Sequence, residues 1–409
     1  MNFLVSYLEK LGISQKERQI LLRVFVISFT VSICCVATIW LISFLRQKRA
    51  QHAIVENQTD IPPHATKRTK GFDLQSVDIR AHRYAADYFS STNQPLHAIS
   101  HYQRILQARP QDIHASLALA TTYMEGGLFE ESIQLFEKLL QFDNQDSLLC
   151  VIEARYGLAL FHSGQVRKSI SRLEECLKRC PHNAEAACFR GQVEASVNPR
   201  SSKTIDYFTH AIALDSNYTE APYQLARYLM NRPQASRADL IRSRDNLLRV
   251  LTLEQLHAKA HSRLGMVYYY LQQPAPAQKS YETALALNPQ DYNTHFNLGE
   301  LYFTTWDNEA DALRSFKRTV ELKKDHTRAN FRIGLISLRN SMKREAVYYL
   351  EQAHKSDPED IRILLQLAVA YERLGVRDKA IQKYRQILSL DSLNDIARHK
   401  LLLLQDNNN

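Results

Sequence analysis

From residue 79 to residue 394 the chain repeats a pattern of small, apolar and aromatic residues about every 34 positions. Repeats of this length are typical of units made of two antiparallel helices joined by a short turn. One such unit cannot bury its apolar face alone, so neighbouring units must stack and share a core. The sequence therefore predicts an all-α solenoid. In the clearest unit, residues 258–291, the pattern comprises Leu264, Gly265, Tyr268, Ala277, Tyr281, Ala284 and Pro289.

The pattern recurs nine times, which predicts nine helix pairs. After the last unit, residues 395–409 contain a further apolar segment that we expect to form a capping helix and a tail, because the open end of a solenoid must be covered. We therefore expect nineteen helices between residues 79 and 405. The units span residues 79–112, 113–146, 150–183, 184–218, 219–254, 258–291, 292–326, 327–360 and 361–394.

The small residues of the pattern have a packing reason. At the eighth position, a residue such as Gly265 lets the two helices of a unit approach closely. Small residues at the twentieth and twenty-seventh positions, such as Ala277 and Ala284, do the same against the next unit. Glycine is otherwise scarce, at 11 of 409 residues. This scarcity disfavours sheets with tight hairpins and glycine-rich nucleotide loops.

These offsets resemble the tetratricopeptide repeat family, whose pattern is W-x2-L-G-x2-Y followed by x8-A-x3-F-x2-A-x4-P. The first-position Trp is absent throughout, and His261, His295 and Asn330 are examples of its replacements. The resemblance implies a right-handed α-solenoid of helix pairs that binds a protein or peptide partner. We expect the protein to need no cofactor.

The N-terminal part of the chain contains an uncharged segment of 22 residues, from residue 24 to residue 45, between Arg23 and Arg46. This length suffices to cross a bilayer core of about 30 Å. A buried core helix and a cleaved signal peptide are the alternatives. We predict a tail over 1–21, a transmembrane helix over 22–46 and a linker over 47–78. A slight excess of Lys and Arg before the span places the repeats on the extracytoplasmic side of a single-pass membrane protein.

The positive charge of the chain is concentrated near this span. The formal net charge is +9, and residues 1–50 carry seven Lys and Arg against two acidic residues. The repeats are therefore nearly neutral, and we expect no nucleic-acid partner.

Motifs of common enzymes are absent from the sequence. There is no GxxxxGK[ST], GxGxxG, HExxH, GxSxG or paired CxxC motif, so we expect no catalytic residues, no enzyme activity and no small-molecule substrate. Cys176, Cys180, His182 and Cys188 form a C-x3-C-x-H-x5-C spacing that could bind zinc. Cys176 falls where the pattern requires a small core residue, however, and free Cys behaves as one. We therefore expect no metal site.

The resemblance also implies a binding groove. In this family the first helix of each unit lines the concave surface, with its second, fifth, sixth, ninth and twelfth positions facing inward. In the units that begin at residues 258, 292 and 327, these positions form a basic and aromatic surface, which predicts an acidic or aromatic-rich partner segment. The candidate peptide-binding residues are Lys259, Arg263, Tyr269, Phe296, Asn297, Phe303, Arg328, Phe331 and Arg332.

Part of this surface resembles the carboxylate clamp of chaperone-binding members of the family, which grips the free C-terminal carboxylate of a peptide. Asn297, Arg328 and Arg332 match the later positions of the clamp, whereas Ser262 and Met266 stand where the clamp has Lys and Asn. The alternative is that the arginines are solvated charges of the groove.

Anchor and repeats together predict a membrane-tethered scaffold or adaptor that binds a protein segment in the concave groove. The alternative function is a structural subunit of a membrane or envelope assembly complex, for example in cell-envelope or cytochrome c biogenesis.

Overall fold

The computed structural model describes residues 74–92, 94–142, 146–233 and 235–406. These residues form nineteen α-helices and contain no β-strand. The predicted all-helical class and the predicted number of helices are therefore confirmed. The helices fall into two compact units, the first ending at Asp143 and the second beginning at Asn144.

The first unit contains four described helices that pack in sequence order. Its core is built from small and large apolar residues such as Ala98, Ile105 and Leu119. Where the pattern has Ser at the twentieth position, the hydroxyl of Ser132 donates a hydrogen bond of 2.7 Å to the carbonyl oxygen of Ala120 at the eighth position. The helices are α1 (Leu74–Ser91), α2 (Pro95–Ala108), α3 (Ile113–Glu125) and α4 (Phe129–Leu139).

The second unit contains the other fifteen described helices, and each helix contacts the next along the chain. They are α5 (Asp146–His162), α6 (Val166–Arg179), α7 (Ala184–Val197), α8 (Lys203–Leu214), α9 (Glu220–Asn231), α10 (Arg237–Leu253), α11 (Ala258–Tyr270), α12 (Pro274–Leu287), α13 (Tyr292–Thr305), α14 (Glu309–Leu322), α15 (Thr327–Arg339), α16 (Lys343–Ser356), α17 (Ile361–Leu374), α18 (Arg377–Leu390) and α19 (Asp395–Asp406).

Close helix crossings in the second unit depend on the glycines at the eighth position. A Cβ atom on Gly265 would lie 2.6 Å from the ring of Tyr281, and one on Gly299 would lie 2.6 Å from the ring of Phe316. Both rings are almost completely buried. The pattern of a small residue followed by a large one is therefore a steric requirement of the helix pair.

The last helix, α19, packs on the α17–α18 pair. Ala397 is fully buried, and Leu401 and Leu404 lie against the cluster that contains Tyr384. Ile396 and other apolar side chains of α19 remain exposed.

Several predictions concern the N-terminal residues, and part of them requires correction. None of the helices that the structure describes is long and apolar enough to cross a membrane. The prediction of a single-pass membrane protein is therefore not supported. The predicted tail, the span over 22–46 and the linker up to residue 73 lie outside the described residues. The linker also ends earlier than predicted, because α1 begins at Leu74. The repeat pattern reflects contacts between helices, so it does not mark the residue at which a helix begins.

Candidate functional site

The second unit contains a cavity of about 470 Å³ where the first helices of four successive pairs come together. Four helices contribute to it, namely α9, α11, α13 and α15, together with the turns that precede α13 and α15. The lining residues are Tyr223, Lys259, Ser262, Arg263, Met266, Asn288, Asp291, Asn293, Phe296, Asn297, His326 and Arg328.

The lining of this cavity carries three cations, Lys259, Arg263 and Arg328, and a single carboxylate, Asp291. Asp291 is already engaged at the start of α13. Its carboxylate accepts hydrogen bonds from the backbone N–H of Asn293 (3.1 Å) and from the hydroxyl of Thr294 (2.5 Å). The cavity therefore presents a surplus of positive charge to a ligand.

Aromatic rings support two of these cations. The Nε of Arg263 donates a hydrogen bond of 2.8 Å to the hydroxyl of Tyr223, and its guanidinium lies 5.4 Å from the centre of that ring. The guanidinium of Arg328 lies 4.6 Å from the ring centre of Phe296. Cation–π contacts of this kind hold a guanidinium in place while most of its N–H donors stay available.

Comparison with known proteins identifies the repeats. Three models of the tetratricopeptide repeat (TPR) family match the chain, at residues 92–149, 258–291 and 363–395. These three segments of the chain carry tetratricopeptide repeats. The second of these matches coincides with α11 and α12, which include the cavity residues Lys259 and Arg263.

The relatives found by sequence comparison are larger proteins. Superkiller complex protein 3 of Mus musculus is 22% identical over 285 residues, which cover 69% of this chain and 18% of that protein. Anaphase-promoting complex subunit 3 of Schizosaccharomyces pombe is 22% identical over 276 residues, which cover 67% of this chain and 40% of that protein. The chain thus spans less than half the length of either relative.

A solved structure supports the fold alone. The crystal structure of the APC/C hetero-tetramer Cut9-Hcn1 matches 81% of this chain and 64% of the solved chain, with a TM-score of 0.54 and 17% identity. The helical fold of this chain is thus similar to that of the solved chain.

Five of the nine predicted groove residues line the cavity of the TPR array. They are Lys259, Arg263, Phe296, Asn297 and Arg328. Phe296 is only 4% exposed, so it supports Arg328 rather than offering a free surface to a ligand.

Arg332, which the sequence places in a clamp with Asn297 and Arg328, has a different partner. Its Nε and one terminal nitrogen donate to the two carboxylate oxygens of Glu300, at 2.6 and 2.8 Å. Arg328 lies at the edge of the same carboxylate, at 4.0 Å. Glu300 and Arg332 thus form a bidentate ion pair within the array. Of the three clamp residues, only Asn297 and Arg328 line the cavity.

The other three predicted residues lie outside the cavity lining. The hydroxyl of Tyr269 is 3.0 Å from that of Thr304. The ring of Phe303 lies 5.1 Å from the guanidinium of Arg339. Phe331 packs against the buried cluster of α16, α17 and α18. These contacts connect neighbouring TPR units.

Sequence reasoning missed several lining residues, and most of them carried a usable signal. Tyr223 occupies the fifth position of the unit that begins at residue 219, whereas the predicted groove residues lie only in the units that begin at residues 258, 292 and 327. Asn293 occupies the second position of its own unit and Met266 the ninth. Asn288 and His326, by contrast, lie in turns between units, where the inward-facing positions of a helix give no information.

His326 combines a structural role with its place in the cavity. Its Nδ1 accepts a hydrogen bond of 3.1 Å from the backbone N–H of Ala329 and so caps the start of α15. Its ring lies 4.8 Å from that of Phe296. Burial, followed by the nearby charge of Lys323, lowers the pKa of His326 from its usual value of 6.5. The neutral ring is the form that can accept this hydrogen bond.

We expect His326→Asn to reduce the dependence of stability on pH. Because folding lowers this pKa, the contribution of His326 to the free energy of unfolding is present above pH 6.5. It is lost as the pH falls through the lower pKa of the folded state. Asn is an equally good cap that does not titrate. Urea unfolding should therefore show a smaller loss of stability between about pH 7 and pH 5 in the variant.

His354 serves as an internal reference when the parent chain and the His326→Asn variant are compared, because burial also lowers the pKa of His354. That residue leaves a residual pH dependence in both proteins. An unchanged slope in the His326→Asn variant would show that His326 does not cap α15 as described.

The zinc spacing of the sequence does not assemble as a group of four. Cys180 forms a disulfide with Cys150, and Cys188 is buried beside Gln192. His182 is exposed. The disulfide was not predicted, because Cys150 and Cys180 are 30 residues apart in sequence. Folding brings their Cα atoms to 6.1 Å, within the usual range for a disulfide.

Proposed function

We propose that this chain is a protein-binding scaffold whose cavity between α9, α11, α13 and α15 holds an acidic segment of a partner protein. The observation that carries the proposal is the convergence of Lys259, Arg263 and Arg328 on a cavity whose one carboxylate is used in a helix cap. A segment with Asp or Glu side chains would supply the missing negative charge. The buried rings of Tyr223 and Phe296 would hold the guanidinium groups of Arg263 and Arg328 in place against this segment.

The position of Arg332 favours recognition of acidic side chains over recognition of a chain end. A carboxylate clamp needs an amide and two cations that converge on one carboxylate. Arg332 is held by Glu300, so its charge is already balanced. Lys259 and Arg263 instead lie on α11 and extend the positive surface along the cavity. We therefore expect binding to depend on several carboxylates along a segment.

A second candidate function is that of a permanent subunit in a multiprotein assembly. The relatives named as superkiller complex protein 3 and anaphase-promoting complex subunit 3 support this alternative. Purification of the tagged chain distinguishes the two functions. A partner recovered at fixed stoichiometry and resistant to an acidic competitor peptide favours the subunit. A partner displaced by that peptide favours the scaffold. For either function, we propose binding rather than catalysis.

The direct test uses a labelled peptide in which Glu alternates with Tyr, together with a matched peptide in which Lys replaces Glu. We expect the Glu peptide to bind about tenfold or more tightly than the Lys peptide, with an affinity that falls as salt is added. Amidation of the peptide C-terminus should change the affinity less than twofold, because we do not expect a clamp for the chain end. Fluorescence anisotropy with the full chain measures all three quantities.

Two variants locate the binding site. Lys259→Ala removes a cation from the cavity lining, whereas Lys279→Ala removes an exposed cation from α12, outside the lining. We expect only the first to weaken binding of the Glu peptide. Equal affinities for the Glu and Lys peptides, or equal effects of the two variants, would contradict the proposal.

A further inference from the structure

Three sulfur atoms and a buried carboxylate meet where α5 packs on α6. Cys150 and Glu153 lie in the first turns of α5, Cys176 lies near the end of α6, and Cys180 immediately follows that helix. The sulfur atoms of Cys176 and Cys180 and a carboxylate oxygen of Glu153 all lie within 4.8 Å of one another. The disulfide places the sulfur of Cys150 directly beside that of Cys180.

The carboxylate of Glu153 is the second observation at this place. Its side chain is only 3% exposed, and its Oε1 accepts a hydrogen bond of 2.5 Å from Arg179. Its Oε2 is buried and has no hydrogen-bond partner among the residues that the structure describes. Buried polar atoms almost always have a partner. A buried carboxylate that has an unpartnered oxygen and lies close to two sulfur atoms therefore indicates a position suited to a cation.

Cys176 distinguishes a metal site from a site of disulfide exchange. Its side chain is fully buried, and its thiol donates a hydrogen bond of 3.6 Å to the carbonyl oxygen of Cys150. A protonated thiol is a poor nucleophile, so attack of Cys176 on the neighbouring disulfide is disfavoured. A divalent cation, in contrast, displaces the thiol proton and balances the charges of both the thiolate and Glu153.

We propose that the reduced chain binds one divalent cation of the Zn²⁺ class through the thiolates of Cys150, Cys176 and Cys180 and the carboxylate of Glu153. Four ligands of this type match the number and kind that structural zinc prefers, with Zn–S distances of about 2.3 Å. Neighbouring sulfur ligands of a tetrahedral zinc lie about 3.8 Å apart. The separations among the ligand atoms of Glu153, Cys176 and Cys180, at most 4.8 Å, require a contraction of about 1 Å. The sulfur atoms of Cys150 and Cys180, bonded to each other in the disulfide, must move apart to the same spacing after reduction.

The disulfide and the metal are alternative states of the same residues. A dithiol reductant supplies two electrons and two protons, converts the Cys150–Cys180 bond into two thiols and becomes a disulfide itself. The cation then displaces the protons of three thiols, which pass to solvent. In the reverse step a disulfide oxidant accepts two electrons from Cys150 and Cys180, takes two protons from solvent and becomes a dithiol. The Cys150–Cys180 bond forms again, two ligands are lost, the thiolate of Cys176 takes up a proton, and the cation is released. Arg179, which pairs with Glu153, offsets part of the negative charge of the loaded site.

The test adds Co²⁺ and then Zn²⁺ to the reduced full chain in which Cys34 and Cys35 are replaced by Ser. We expect one equivalent of Co²⁺ to give a thiolate-to-cobalt charge-transfer band, which Zn²⁺ abolishes and which the oxidised chain lacks. Cys176→Ala should weaken Co²⁺ binding at least about 100-fold, because loss of outer-shell groups alone costs 10–100-fold. This variant should fold, because Ala284 and Ala353 occupy the same position in later units.

Cys188→Ala is the matched control, because it also removes a fully buried thiol but lies outside the cluster. It should retain the charge-transfer band and the affinity of the parent chain. Glu153→Gln, which keeps the shape of the side chain, should weaken binding as well. The proposal is overturned if the reduced chain shows no charge-transfer band, if Cys176→Ala leaves the affinity unchanged, or if the oxidised chain binds Co²⁺ equally well.

Discussion

Replacing Gly265 by Phe is expected to destabilise the second unit by about 3 kcal/mol, the upper end of the usual cost of overpacking a core. A Cβ atom alone would come within 2.6 Å of the ring of Tyr281, which is only 1% exposed. Neither α11 nor α12 can accommodate a further ring without moving apart. Urea unfolding followed by circular dichroism measures the loss.

Gly265→Ala tests the same contact through the sign of the change in the free energy of unfolding. Helix propensity alone would make this change stabilising by about 1 kcal/mol, whereas the contact with Tyr281 should make it destabilising by about 1–3 kcal/mol. Gly126→Ala is the control, because its Cβ atom would meet only ordinary contacts of 3.4 Å or more. Stabilisation by Gly265→Ala would contradict the close crossing of α11 and α12.

Reversing two charges of the cavity is expected to abolish recognition of an acidic segment. The double variant Lys259→Glu, Arg328→Glu should weaken binding of the Glu–Tyr peptide by about 2–5 kcal/mol, because it replaces attraction with repulsion at the partner's carboxylates. Neither residue is part of the buried core, so the helicity of the chain should remain unchanged. Calorimetry measures the affinity, and circular dichroism measures the fold.

The matched control for this variant is Lys279→Glu, Arg344→Glu, which changes the net charge equally at exposed positions of α12 and α16, outside the cavity. We expect it to bind the Glu–Tyr peptide nearly as well as the parent chain, because distant surface charges are screened by salt. The cavity variant should in turn gain affinity for the Lys–Tyr peptide. Similar losses in both double variants would assign the effect to overall charge and contradict the proposed site.

The helix pairs could be predicted from the sequence because their packing repeats. Gly265 and Tyr281 are sixteen positions apart, so that a small residue meets a large ring. Gly299 and Phe316 make the same contact in the next pair, at seventeen positions, because that unit has one extra residue. Contacts of this kind join residues that are close in sequence, so their spacing is visible as a period. The same period predicts that Lys259, Arg263 and Arg328 lie on the first helices of their units.

The partners of individual charges and sulfurs could not be predicted in this way. Arg332 was expected in the groove, but Glu300, which lies in the preceding pair, holds it with two hydrogen bonds. Whether a cation faces a ligand or a neighbouring carboxylate depends on side-chain geometry between units, which has no periodic signal. The place of His326 in the cavity lining likewise has no periodic signal, because His326 lies in the turn that connects α14 to α15.

The sequence by itself thus determined the helical class and the number of helices, because these follow from residue size and polarity at regular intervals. Only the tertiary structure decided which cations line the cavity and that Arg332 pairs with Glu300 instead. It also brought Cys150 and Cys180 together across 30 residues and buried Glu153 beside them. Those outcomes depend on distances between specific side chains of different helices, and such distances exist only once the helices have packed.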